Sequence, residues 1–241
     1  GKLCIAFMPD EEVGGGADCL KLSECGAVYG YTLGGSHEGE IQFENFNAAG
    51  AEVIVHGVNV HPGSAKDIMK NAQTIAMELH GMLPKAECPE KTEGYEGFYH
   101  LMEFNGTVEQ AVMKYIIRDF DPVLFDVKQE KLRQAVAQIN AIYGEGTAEV
   151  KIEESYRNMR EKIEPCMQLI EYAKAACKEA GVEPDVSPIR GGTDGARLSF
   201  RGLPCPNLGT GGDGFHGPFE HITVEGMDLS VEIVKKIIKK M

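Results

Sequence analysis

Between residues 48 and 156 the apolar pattern switches repeatedly between the period of a strand and that of a helix, and few folds accept the resulting order. Alternation marks a strand at 50–58, with Val53 and Val55 on the same side as Ile41 and Phe43 upstream. A helix is expected at about 64–82, where Ile68, Ala72, Ile75, Ala76 and Leu79 recur at helical spacing. Strands at 97–104 and 108–119, a helix at 125–143 and a strand at 148–155 complete the block. This β-α-β-β-α-β order is the ferredoxin-like arrangement, and the block is long enough to bury a core of its own.

The flanks have a different character. Residues 2–8 form an apolar run that reads as a buried strand, 16–25 as a short helix and 27–33 as a second strand. Beyond the block, 165–180 is helical, with Met167, Ile170, Ala173 and Cys177 on one face and Gly181 placed to end it. Arg190-Gly-Gly-Thr-Asp194 is a glycine-rich loop opening a short helix at 195–200, 205–208 reads as a strand, and 224–240 is an amphipathic helix with cations in its last turn. The expected fold class is therefore α/β. A catalytic-type α/β domain at 1–47 and 157–241 is interrupted by an inserted ferredoxin-like α+β domain at 48–156. The sequence enters its first apolar run at once, Gly1-Lys2-Leu3, so the expectation is that the N-terminal part of the natural protein lies upstream of it.

Charge and length exclude some functions. A formal net charge of -13 repels phosphate backbones and anionic membranes, so neither nucleic acid nor a membrane is an expected partner. No apolar run approaches the roughly 20 residues a helix needs to cross a bilayer. The seven cysteines are scattered, odd in number and without a C-x-x-C pair, which suits reduced thiols and a cytoplasmic location.

Chemistry concentrates in a few segments. Pro9-Asp-Glu-Glu-Val-Gly14 places three adjacent carboxylates, Asp10, Glu11 and Glu12, after the first apolar run. Ligands bind outside the carboxyl ends of strands in open α/β sheets. Three neighbouring carboxylates repel one another unless a cation sits among them. A divalent metal would leave one as ligand and its neighbour as base. An exposed acidic turn is the other reading, and spacing alone does not separate the two.

Gly209-Thr-Gly-Gly-Asp-Gly214 has the G-x-G-x-x-G spacing, but Phe215-His216-Gly217-Pro218 follows where a dinucleotide site requires a helix. His216 is then either a ligand or a plain loop histidine. His61, in Val60-His-Pro-Gly-Ser64, is either a polar turn residue or a donor reaching a site. Arg118, late in an apolar strand beside Asp119 and Asp121, reads on its own as an ion-paired strand arginine. Arg190, on a glycine loop, suits forking a carboxylate, and Asp194 reads as a helix cap.

Taken in order, Pro9-Asp-Glu-Glu-Val-Gly14, Phe43-Glu-Asn-Phe-Asn-Ala-Ala49, Asn59-Val-His-Pro-Gly63, Thr92-Glu-Gly-Tyr-Glu-Gly-Phe-Tyr-His-Leu101, Tyr115-Ile-Ile-Arg-Asp-Phe-Asp121, Arg190-Gly-Gly-Thr-Asp-Gly-Ala196 and Gly202-Leu-Pro-Cys-Pro-Asn207 resemble the peptidase T family. These are tripeptide aminopeptidases of the co-catalytic zinc M20 peptidases. The resemblance implies Glu11 as general base, Glu12 and His216 as zinc ligands, and His61 as a lid histidine reaching a neighbouring copy's site. It implies Arg118 and Arg190 as holders of the peptide's terminal carboxylate. It also implies two zinc ions per site, a small peptide substrate, and an inserted domain that serves as lid and homodimer interface.

Two departures from the family pattern follow. The family's His-x-Asp pair and bridging Asp belong upstream of residue 1. Gly34, in Tyr31-Thr-Leu-Gly-Gly-Ser36, stands where the family carries another zinc-binding Asp. The resulting expectation is that this polypeptide alone binds zinc weakly or not at all and hydrolyses no tripeptide. The alternative function is an incomplete homologue retaining only dimerisation or peptide binding.

Overall fold

The computed structural model describes residues 2–9, 11, 15–35 and 37–241. Along the chain lie α1 (Leu22–Cys25), β1 (Thr32–Leu33), β2 (Glu40–Gln42), β3 (Asn47–His56), α2 (Ala72–Gly81), β4 (Phe98–Gly106), β5 (Gln110–Asp119), α3 (Pro122–Tyr143) and β6 (Ala148–Tyr156). They are followed by α4 (Arg160–Ile163), α5 (Gln168–Glu179), β7 (Asp185–Val186), α6 (Asp194–Phe200), β8 (Asn207–Leu208), β9 (Gly212–Asp213), β10 (His221–Ile222) and α7 (Val224–Ile238). The chain divides into two compact units, Gly1–Asn45 with Asn158–Met241, and Phe46–Arg157.

The Phe46–Arg157 unit is a four-stranded antiparallel sheet in the order β4-β5-β3-β6, with α2 and α3 supplying its core. Strand alternation does the sorting. Ala49, Ala51, Val53 and Val55 of β3 are buried, and Ile75 and Leu79 of α2 and Phe125, Leu132 and Ile139 of α3 close over them. Fully burying each large apolar side chain is worth about 1.5–3 kcal/mol. Both helices start on side-chain caps. Asn71 accepts from Gln73 N at 3.0 Å. Asp121 Oδ1 accepts from Val123 N and Leu124 N at 2.8 and 3.0 Å, with Pro122 in the first turn. On the opposite face β4, β5, β3 and β6 align Glu103, Lys114, Glu52 and Lys151 in one row of alternating sign.

One helix is shorter than its apolar spacing suggests. The expected 64–82 begins only at Ala72, after a 3-10 turn at Pro62–Ser64. Asp67 takes φ 61°, and Val58 and Lys70 exchange backbone hydrogen bonds at 2.8 and 3.0 Å. Those bonds engage backbone groups that a longer helix would need.

The other unit holds a mixed sheet, β1-β8-β2-β7, in which β1–β8 and β2–β7 run parallel and β2–β8 antiparallel. Ile41 and Leu208 of the sheet pack with Ile170, Ala173 and Cys177 of α5, Ala196 of α6 and Ile233 and Ile237 of α7. α5 ends as its sequence predicts. Gly181 takes φ 85°, its N–H donates to Lys178 O at 3.0 Å, and Val182 N donates to Cys177 O at 2.9 Å.

Three expectations fail at the start of this unit. Residues 2–8 are not a strand, and Leu3, Ile5 and Phe7 are 62%, 70% and 95% exposed. A strand exists only through hydrogen bonds from a neighbour, and among the described residues none pairs with this segment. The helix expected at 16–25 is split into a 3-10 turn, Gly16–Cys19, and α1, because Leu20 between them is extended. The strand expected at 27–33 contracts to β1.

Candidate active site

Of the acidic triplet, Glu11 is described, on an exposed turn; Asp10 and Glu12 lie outside the described residues. The segment is anchored at Gly16. A Cβ there would lie 2.6 Å from Pro9 O, 2.8 Å from Asp194 Oδ2 and 3.2 Å from Glu11 N, so no side chain fits. Asp194 is 5% exposed and accepts a hydrogen bond from Ala17 N at 3.2 Å. Burial pushes its carboxyl above the usual range, opposed by the Ala17 N–H and by Arg197.

Helix α6 adds two further ties to the same 3-10 turn. Arg197 Nη1 pairs with Asp18 Oδ2 at 2.7 Å. Arg201 donates to Ala17 O and, at 2.6 Å, to Leu20 O. The expected cap role of Asp194 falls instead to Thr193, whose hydroxyl accepts from Gly195 N at 3.2 Å. Asp194 and Arg197 stand at i and i+3 of α6, and Arg201 follows its last residue. That spacing was a readable signal which the cap reading passed over.

Arg190 is half-buried and opens the loop that leads into α6. The loop is fixed at its start by Ile189 N donating to Glu44 O at 2.8 Å. At its end Thr193 Oγ1 donates to Asn207 Oδ1 at 3.0 Å. Through Asp194 the structure thus brings the Glu11 turn and the Arg190 loop together. His216 lies on the exposed segment joining the antiparallel strands β9 and β10. It takes φ 59°, and its backbone N donates to Glu220 Oε2 at 3.2 Å. A non-glycine residue in that region is uncommon and often marks a functional loop.

His61 and Arg118 belong to the Phe46–Arg157 unit. His61 is exposed, and its Nδ1 accepts from Gly63 N at 3.1 Å. An Nδ1 that accepts carries no proton, so the neutral ring is protonated at Nε2 and presents a donor outward. Arg118 stands in β5 between Phe98 and Ala48, with Tyr156 beyond Ala48 in the same row. Its guanidinium lies 6.0 Å from the Phe98 ring centroid. The acids beside it in sequence are engaged elsewhere. Successive strand residues face opposite sides, so Asp119 meets Lys128 at 3.5 Å, and Asp121 caps α3. The buried Tyr156 hydroxyl has no hydrogen-bond partner among the described residues. Burial raises its phenol pKa, and Arg118 opposes the rise.

Metal donors are sparse among the described residues. Among the described residues no group of three or more His, Cys, Asp or Glu stands close enough to hold an ion. Gly34 follows β1, with its N–H bonded to Leu208 O at 3.2 Å, and a Cβ there would meet nothing within 4 Å. A cavity of about 540 Å³ lies on the helix-free sheet face, lined by Gly50, Glu52, Met102, Lys114, Ile116 and Lys151 among others. It gathers none of the candidate residues.

A family model described as the peptidase dimerisation domain matches residues 43–150. Peptidase T of Clostridium novyi is 53% identical over 239 residues, covering 99% of this chain and 59% of that protein. Peptidase T of Staphylococcus carnosus is 49% identical over 241 residues, covering 100% of this chain and 59% of that protein. The chain therefore spans about three fifths of the length of these relatives. Among solved structures, aminopeptidase PepT from Bacillus cereus superposes with a TM-score of 0.84 at 24% identity, covering 97% of this chain and 62% of that one. A dinuclear metal-binding M20 peptidase from Bacillus subtilis gives 0.66 at 19%, covering 96% and 62%. At such identities the superpositions speak to fold, while the closer sequence likeness runs the full length of the chain. On these grounds the chain is similar along its whole length to about three fifths of peptidase T, and its residues 43–150 match the peptidase dimerisation domain.

Proposed function

We propose that this chain carries the general base and the substrate-holding residues of a metal-dependent aminopeptidase that removes the N-terminal residue of tripeptides. The observation that carries the reading is the junction of the Glu11 turn with the Arg190 loop through Asp194, in a chain about half identical to peptidase T. Glu11, exposed on its turn, takes a proton from the attacking water and returns it to the leaving amine. His61, protonated at Nε2, donates to the oxyanion from the lid of a second copy. Arg118 and Arg190 hold the peptide's far carboxylate and set its register. The match to a dimerisation domain supports a homodimer formed by the lid, and the absence of any described helix long and apolar enough to cross a membrane accords with the cytoplasm.

Zinc is the proposed metal, with Glu12 and His216 as its holders in this chain. They fit in type but not in number, since a catalytic zinc takes three protein ligands and no cluster of three stands among the described residues. A bound metal would supply a water of lowered pKa and a polarised carbonyl.

The test is release of the N-terminal residue from a tripeptide by the purified chain in excess zinc. Zinc-dependent release that Glu11→Gln lowers by about a hundredfold or more is expected. Absence of release, or release indifferent to Glu11→Gln, overturns the reading.

A further inference from the structure

We infer that Asp194 is a positioning residue for the acidic turn, and that α6 works as a clamp holding that turn in place. The inference rests on the proposed role of Glu11 for its functional meaning, but its geometry stands independently. Asp194 and Arg197 of α6, with Arg201 directly after its last residue, grip the 3-10 turn Gly16–Cys19 and the residue after it. Asp194 takes the Ala17 N–H, Arg197 takes the Asp18 carboxylate, and Arg201 takes the Ala17 and Leu20 carbonyls. The N–H and the C=O of Ala17, which belong to the peptide groups on either side of its Cα, are therefore both held, one by Asp194 and the other by Arg201.

The clamp reaches the acidic turn at Gly16. There the Asp194 carboxylate, Pro9 O and Glu11 N all converge on the space a side chain would occupy. Displacing the carboxylate removes one wall of that packing. Asp194 is buried while Glu11 is exposed, so its part in this inference is to position the turn and not to touch substrate.

Limited digestion with a glutamate-specific protease tests the clamp without requiring activity. The reading is the rate of cleavage after Glu11 relative to that after Glu145, on an exposed turn in the other unit. Loss of a hydrogen bond to a charged acceptor is expected to raise the ratio roughly tenfold or more in Asp194→Ala. Asp194→Asn, whose Oδ1 still accepts from Ala17, restores a ratio close to that of the unaltered chain. Gly16→Ala raises the ratio by crowding, and so serves if Asp194→Ala fails to fold. The inference is overturned by an unchanged ratio in both Asp194→Ala and Gly16→Ala, by Asp194→Asn matching Asp194→Ala, or by equal acceleration at both sites. Where tripeptide release is measurable, Asp194→Ala lowers kcat and leaves KM unchanged. A chain that releases nothing removes the peptidase reading and leaves the cleavage ratio to decide the clamp.

Discussion

Gly63 donates its backbone N–H to Nδ1 of His61 across 3.1 Å, so a turn of three residues decides which ring nitrogen carries the proton. The neutral imidazole is expected as the Nε2–H form. Nitrogen-15 NMR of the labelled chain above pH 8 reads this directly, and a dominant Nδ1–H signal from His61 would contradict it. Gly63→Pro, which deletes the donor, is expected to give a mixture of the two forms.

Gly34 invites a gain rather than a loss. A Cβ at this position meets nothing within 4 Å, and its φ is not among the positive values found at other glycines. Calorimetric titration is expected to show zinc binding weaker than micromolar in the unaltered chain. Gly34→Asp, supplying one more oxygen donor, is expected to tighten it about tenfold or more. Equal affinities would show that position 34 does not face the metal.

The cap of α3 has a measurable worth. Asp121→Ala leaves Val123 N and Leu124 N without their acceptor. It should lower the stability of the Phe46–Arg157 unit by about 1 kcal/mol. The denaturant midpoint, at unchanged m-value, is the measurement.

Burial raises the pKa of Asp119 above 3.8, and the Asp121 N–H and Lys128 oppose the rise without cancelling it. The folded state therefore holds that proton more tightly than the unfolded chain. This contribution is fully present below pH 3.8 and is lost as pH rises through the folded value. The difference in unfolding free energy between the unaltered chain and Asp119→Asn should decline with rising pH just above 3.8 and then level off. A difference that grows with pH over that window would refute the assignment.

Leu3, Ile5 and Phe7 offer apolar surface on a segment without strand partners among the described residues. Unpaired backbone with apolar side chains favours association. Light scattering should show mass rising with concentration, and Phe7→Lys should lower it. A monodisperse monomer at high concentration would count against this.

What was readable in advance divides along physical lines. α3 and α5 hydrogen-bond within themselves, and the strands β3 to β6 run long enough for their apolar period to show even though β3 pairs with the distant β5 and β6. The strands β1, β7 and β8 are two residues each and exist through partners far away in sequence, as Thr32 pairs with Asn207. The Asp194 bond to Ala17 spans 177 positions, which is why a capping rule written for local contacts assigned that carboxylate to the wrong partner. The Glu11 turn and His61 were visible as chemistry; how each is held was not.

The row Glu103–Lys114–Glu52–Lys151 bears on how the sheet finds its alignment. A slip of one residue would turn every apolar side chain outward and is forbidden by the core. A slip of two keeps the apolar side inward, and the core alone resists it far less. Moving β5 by two against β3 would set Glu52 opposite Val112 or Ile116, and the Lys114–Glu103 pair at 2.8 Å would have no counterpart on the other side. The solvent-facing charges thus act as a key for the one misalignment that hydrophobic sorting tolerates.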